Sequence, residues 1–550
     1  MCDYKIPIIP NLNIPKNDAG KYSFQIIEGK LSIQDSEEFC EVYDIKIEIS
    51  DFINFSFNIN AENFKEYFLE GINDDEYKIS WNRIYSLQGI FENYDVCLED
   101  CYFKEFHSES RLHLQAEKIS LNENCEYTYD DTYVNVWHIL ESDVILQSDY
   151  QEFDSQNLQG LLLKSINTID YNRLSENAYE LQEKQQKSFN QLLGETSFLF
   201  QKTSYSNVDN EIINNIENLL KFYDSNIIPI RMKIIEDIET HKLEIIIQSK
   251  NITNLNGESI FWEVPNNFFN FINSSYDKYL EVKNGDVNID LLLHYYALMK
   301  NQQYYEVKLI LSSTFMEIYK NDFKDESRNE DLSLYHRLNN RMGELKLDTI
   351  KLLEFLQPEI HKIIYDTKRK FLSLRPDENR KIHTIWKKYI ESYLISIIAF
   401  YRNKFVHSGR FIMNRNDVEY FIIEKWISIQ KKGLADSYGD LANLMEGSIK
   451  QKILNCQNIF NVDYQSKIFE YLIEIILLRL LDVNCCLNAE KQFSLKSEGD
   501  NDVSIHEILE NFNELKDGNE LTEEELYEII EENSGRCNLN SKDYVDNFLR

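Results

Sequence analysis

Positive charge is scarce in this chain. Its 550 residues carry 58 Lys and Arg against 93 Asp and Glu, a formal net charge of −35. Such a surplus of acid keeps a chain soluble and repels nucleic acid at long range, so taken alone it counts against an RNA-handling protein. Proline and glycine are also few, 7 and 16 residues, which excludes collagen-like or linker-dominated architecture. The nine cysteines are scattered, odd in number and without a CxxC pair. No disulfide framework is expected, and a reducing cytoplasm is the expected compartment. Met1-Cys2-Asp3-Tyr4-Lys5 does not open a secretion signal. The most apolar stretch, 468–483, contains Glu470, Glu474 and Arg479. A membrane span needs about 20 mostly apolar residues, so this reads as a buried helix and no membrane partner is expected. HExxH, G-x-S-x-G and a P-loop are all missing, which leaves metal-dependent hydrolysis and nucleotide chemistry little support. Cys97, Cys101 and His107 are near one another in sequence, but their spacing is not the usual one for zinc ligands. Neither metal nor cofactor is expected.

Hydrophobic and aromatic residues, by contrast, are plentiful at 43% and 13%. A globular chain of this length divides into two to four domains. Residues 1–150 alternate apolar and polar side chains with period two, as at 21–27, 42–49, 52–59, 78–84, 94–106 and 111–121. Asn, Asp and Gly punctuate these runs, which predicts a β-rich sandwich or partly closed barrel. His107, His113 and His138 have no nucleophile–base pattern around them and read as structural or surface residues. Segment 151–287 is mixed. It has helical spacing at 171–186 and 208–222 and alternation at 227–235, 241–247 and 259–264. It reads as a continuation of the β region or a second small domain.

From about 288 to 487 the apolar period becomes helical. Segments are predicted at 289–320, 350–356, 359–372, 382–401, 417–430, 440–459 and 464–481, with Pro358 and Pro376 marking helix starts. Long helices with short connections predict a bundle. The fold class is therefore α+β and multidomain, a β-rich N-terminal region followed by an all-α bundle. The last part, 488–550, is acidic with helical spacing over 523–532. Like-charge blocks of this kind are usually solvated.

The overall deficit of positive charge hides one reversal. Between Lys362 and Arg410 twelve Lys or Arg face four acids, a local charge of +8. A phosphate backbone would settle on such an island. Within it Ile385, Trp386, Tyr389, Ile390, Tyr393, Leu394, Ile397 and Ile398 form a stripe at helical spacing that ends at Arg402, Asn403 and His407, before Ser408-Gly409. An Arg and a His at this spacing are expected about once by chance in a chain of this composition, so the context carries the weight. Arg402 suits a bidentate grip on phosphate and stays charged at cellular pH. His407 titrates near neutrality and can move the ribose 2′-OH proton or protonate a leaving 5′-oxygen. Asn403 can orient either group. Lys404, Arg410, Lys387, Lys388, Arg380 and Lys381 are the candidate RNA contacts. On this reading Arg402→Ala and His407→Ala are expected to leave thermal stability nearly unchanged.

Arg402-Asn403-x-x-x-His407-Ser-Gly at the end of a long helix resembles the Rx4–6H motif of the HEPN ribonucleases. With a β-rich region ahead of the bundle, the arrangement resembles the ApeA-type HEPN proteins of bacterial anti-phage defence. Phe315-Met316-Glu317 and Phe469-Glu470-Tyr471-Leu472 are similar to that family's framework helices, so the resemblance covers about residues 290–485. It implies a metal-independent endoribonuclease acting by 2′-OH transesterification, with catalytic Arg402, Asn403 and His407. It further implies a homodimer with facing motifs, an RNA substrate that includes tRNA among its candidates, and a phage-derived trigger sensed or gated by the N-terminal region. The alternative is a non-catalytic RNA-binding or scaffolding bundle.

Overall fold

A computed structural model describes residues 22–33, 39–50, 54–60, 69–73, 76–79, 84–108, 111–123, 132–140, 151–165, 197–223, 230–249, 261–263, 268–285, 287–321, 343–408, 415–421, 428–456, 461–483, 486–487 and 503–504. The chain divides into two compact units. The first comprises Met1–Gly257, Val264–Gly285 and Ile289–Asn301, and the second Glu258–Glu263, Asp286–Asn288 and Gln302–Arg550. The boundary at 301–302 lies beyond the point, about 288, where helical patterning begins in the sequence.

The first unit is built on period-two strands. In chain order they are β1 Tyr22–Ile33, β2 Phe39–Ser50, β3 Asn54–Asn60, β4 Leu69–Asn73, β5 Glu76–Ile79, β6 Tyr85–Phe91, β7 Tyr94–Ser108 and β8 Arg111–Ala116. There follow β9 Lys118–Asn122, β10 Tyr133–Leu140, β11 Gln151–Glu152, β12 Leu161–Ser165, β13 Ser197–Ser204, β14 Ile230–Asp237 and β15 Leu243–Gln248. All except the β4–β5 hairpin join one antiparallel sheet in the order β11-β12-β13-β10-β14-β15-β9-β7-β6-β1-β2-β3-β8. Because β8 also pairs with β7, the hydrogen bonding of β7, β6, β1, β2, β3 and β8 closes on itself.

The long strand β7 makes this closure feasible. Residues 95–99 pair with β9, whereas 102–108 pair with β8. Between them Asp100 takes a left-handed φ of 52° where the register to β6 slips. A bulge of this kind bends a strand and increases its twist. Inward alternate residues fill the interior, among them Phe24, Ile26, Leu87, Val96, Leu98, Leu114 and Ile119. Strands β11 to β15 extend the same sheet, so segment 151–287 contributes to it as well. The amphipathic pattern over 208–222 becomes helix α1 (Glu211–Tyr223), which buries Ile213, Ile216, Leu219, Leu220 and Phe222. Helices α2 (Phe268–Lys283) and α3 (Ile289–Lys300) complete the unit.

The second unit contains α4 (Tyr305–Asn321), α5 (Thr349–Leu356), α6 (Pro358–Leu374), α7 (Asn379–Ser408), α8 (Arg415–Tyr420), α9 (Ser428–Leu454) and α10 (Val462–Leu480). Short strands β16 (Phe261–Glu263), β17 (Cys486–Leu487) and β18 (Val503–Ser504) pair with one another. The single helical run expected over 289–320 is broken at Asn301–Tyr304, and its two halves fall in different units. Gly439, at φ 47°, interrupts α9. Pro358 opens α6 and Pro376 opens the 3-10 turn leading into α7. Asp348 caps α5 by accepting from the backbone N–H groups of Ile350 and Lys351, which satisfies two otherwise orphaned donors. The helix expected at 171–186 and the acidic stretch 523–532 lie outside the described residues. Among the described residues no helix is long and apolar enough to cross a membrane.

His138 lies in the middle of β10, fully buried, opposite Lys233 of β14. Neither ring nitrogen has a hydrogen-bond partner among the described residues. Burial, helped by the Lys233 ammonium, holds its pKa down to about 3 from the usual 6.5. The unfolded chain therefore binds a proton in the window between these values that the folded chain refuses. The stability this neutral His retains is complete above pH 6.5 and is lost as pH falls toward 3. Its share between pH 6.5 and 5 is roughly 2 kcal/mol. We expect His138→Leu to flatten that part of the pH–stability curve in urea unfolding at pH 7 and pH 5. An unchanged slope would assign the acid sensitivity to other groups.

Candidate active site

The candidate site is positioned by α7. The sequence stripe predicts one buried face, yet the structure buries every residue from Ser392 to Tyr401. A helix apolar on all sides passes through a core rather than along its surface. α7 packs against α4, α5, α6 and α9, and Tyr401 meets Phe469 of α10 edge-on at 6.0 Å between ring centroids. Phe400 packs on Phe421 at 5.1 Å. Arg402 is the first residue past this packed segment, so its backbone is fixed by the rings just before it.

Arg402 Nε is ion-paired with Glu317 of α4, each side chain about one-fifth exposed (22% and 21%). Its Nη1 donates to Oδ1 of the exposed Asn403 at 2.8 Å. The guanidinium is thus gripped along one edge by a carboxylate and steadied by the neighbouring amide. In the same unit Lys308 of α4 reaches the nearly buried Glu470 of α10 at 3.1 Å. This accounts for one of the acids inside the apolar stretch 468–483.

His407 falls in the last turn of α7, and its side chain lies outside the described residues. In a regular α-helix a residue five positions after another is about 140° around and about 7.5 Å along the axis. Arg402 and His407 of one chain therefore occupy different faces of α7. Arg410 lies outside the described residues.

The other candidate RNA contacts do not gather at Arg402. Lys404 is paired with Asp417 of α8, and its side chain is only 10% exposed. That burial removes it from the free cations. Lys387 and Lys381 are exposed and pair with Glu391 and Glu378. Arg380 is exposed and Lys388 half-buried. At about 1.5 Å per residue these four lie about 21 to 33 Å along α7 from Arg402, with the buried middle between. The +8 segment thus holds two separate cationic places.

Of the sequence pair considered for zinc, Cys97 is half-buried and Cys101 buried, and burial pushes both thiols up. Among the described residues no three His, Cys, Asp or Glu side chains form a metal-sized group. Glu317 is the functional partner that spacing does not single out. In the sequence Glu317 stands out only as part of Phe315-Met316-Glu317, and nothing there links it to Arg402.

The Glu317 pair changes the expected behaviour of Arg402→Ala. Removing the guanidinium strands a largely buried carboxylate, which is costly when one partner of an enclosed ion pair is lost. With partial solvent screening the loss should be about 1 to 3 kcal/mol. The double change Arg402→Ala with Glu317→Gln should recover much of it, giving a clear coupling in a double-mutant cycle of urea midpoints with the two single changes. Additive effects would mean that the pair contributes nothing.

No family model matches the chain, and neither a curated protein nor a solved structure matches it.

Proposed function

We propose that the chain is a metal-independent endoribonuclease that serves bacterial anti-phage defence, with Arg402, Asn403 and His407 as its catalytic residues. The observation that carries this reading is the anchored Arg402. A guanidinium able to grip phosphate stands just past the core-buried segment of α7, held by Glu317 and Asn403, with His407 five residues further on in the last turn of the same helix. Preorganised donors of this kind lower the barrier of phosphoryl chemistry through positioning and charge stabilisation.

In the proposed reaction a His407 imidazole takes the proton of a ribose 2′-OH. The 2′-oxygen attacks the adjacent phosphorus, and the bond to the 5′-oxygen breaks. An imidazolium returns a proton to that leaving oxygen, and the product strand ends in a 2′,3′-cyclic phosphate. Arg402 holds the non-bridging oxygens as negative charge builds on them. Asn403 orients the guanidinium.

Base and acid are two roles, and one chain offers a single His407 on a face away from its Arg402. Two copies of the chain meeting at the ends of their α7 helices supply two of each group, which favours a homodimer with a composite site. In this reading the first unit senses a phage component or gates cleavage, and host RNA is the target, with tRNA among the candidates.

Bacteria carrying inducible wild type, Arg402→Ala or His407→Ala are expected to separate on a gel of total RNA. With phage present, wild type alone should yield fragments and arrested growth. Intact RNA in all three, with equal phage protection, would replace catalysis by a non-catalytic RNA-binding role for the bundle.

A further inference from the structure

A second cluster of donors lies in the α6–α7 hairpin, about 24 Å along α7 from Arg402 by helical rise. Lys368 of α6 is buried, with 6% of its surface exposed. Its ammonium makes no ion pair with any described residue. It lies over the Trp386 ring at 3.9 Å and over the Tyr365 ring at 5.6 Å from the centroids. Aromatic faces attract a cation but do not replace a counter-charge. A buried charge without one is costly, and such groups usually acquire a partner or neutralise.

The neighbours are donors too. His361, Tyr365 and Lys368, at i, i+4 and i+7, share one face of α6. His383 and Trp386, at i and i+3, share one of α7. His361 stacks with Tyr365 at 6.1 Å, and His383 meets Trp386 edge-on at 6.2 Å. The Trp386 indole N–H is buried without a partner among the described residues. Apart from Lys368 these side chains are half-buried, so the cluster reaches the surface. Glu354 is the acid whose charge is felt here, at His361. Lys362, Arg369, Lys370, Arg380, Lys381 and Lys387 are exposed on the same two helices.

We propose that Lys368, with His361, His383 and the Trp386 indole N–H, forms a phosphate-binding subsite separate from Arg402. A phosphoryl group supplies the missing counter-charge and accepts from these donors. The half-buried aromatic rings beside it suit an adjoining base, since stacking is sequence-tolerant. The exposed cations around it suit the next phosphates of a strand. The source of the phosphate is an RNA strand or a free nucleotide. The strand rests on the nuclease reading, whereas the anion site does not. Burial holds the Lys368 pKa down to about 8, and a bound phosphate would restore it.

The test uses the full chain carrying Arg402→Ala, so that phosphate contacts at the candidate active site do not contribute. Titration calorimetry is run with inorganic phosphate, adenosine 5′-monophosphate, adenosine and a 2′-O-methyl octanucleotide that resists transesterification. We expect the phosphate-bearing probes to bind and adenosine not to. Lys368→Met should weaken them at least tenfold while melting no lower than the parent, because it removes an unpaired buried charge. Lys368→Arg should retain binding. An octanucleotide much tighter than the mononucleotide identifies a strand, and equal affinities identify a free nucleotide. Equal binding by the Lys368→Met variant and its parent, or no binding by the parent at millimolar phosphate, would overturn the subsite. Because no probe is cleaved, a failed nuclease reading would leave this result intact.

Discussion

The burial of α7 between Ser392 and Tyr401 is the constraint on which the rest of the second unit depends. Ten consecutive residues are enclosed on every side, and each large apolar side chain so enclosed contributes about 1.5 to 3 kcal/mol of transfer free energy. Burial of this kind fixes the helix in both rotation and register. The first residue beyond it, Arg402, inherits that fixed placement. Glu317 then takes one edge of the guanidinium, which selects its orientation as well as its position. A phosphate grip built this way costs little reorganisation when substrate arrives, which is the condition for strong electrostatic stabilisation.

Charge in this molecule is arranged against its overall sign. The chain carries −35 in total, yet the segment through α6 and α7 is basic. Acids answer many of those cations individually, as Asp417 does Lys404, Glu391 does Lys387 and Glu378 does Lys381. The exposed Lys387 and Lys381 pairs contribute little to stability and open readily. The enclosed groups differ. Arg402 has its acid partner, whereas Lys368 has only aromatic rings among the described residues. One cation is therefore held in an orientation and the other is left waiting for an anion.

Much of the fold was legible because it follows from period and breaker residues. The alternation at 42–49 and 94–106 becomes β2 and β7, and Pro358 and Pro376 stand where helices begin. A partly closed barrel was one of the two forms expected, but which strands close the circuit was not readable, because it turns on a left-handed Asp100 and on which strand edges meet. β10 was hidden because its residues 136–140 are buried on both faces, which removes the alternation. At the site the sequence could place Arg402, Asn403 and His407 at one helix end. It could not show Glu317 across the bundle. Helical rise alone sets Lys387 and Lys388 far along the helix from Arg402, which the local count of +8 passes over. A local count of charges carries no information about distance.

The measurement that tests the central claim most directly is the chemistry of the ends left on RNA by the purified full chain, supplied with phage lysate, in excess EDTA. The account predicts 2′,3′-cyclic phosphate ends from wild type, and none from an Arg402→Ala protein that still shows a cooperative unfolding transition. Cleavage that stops in EDTA, or that persists unchanged without Arg402, would contradict it.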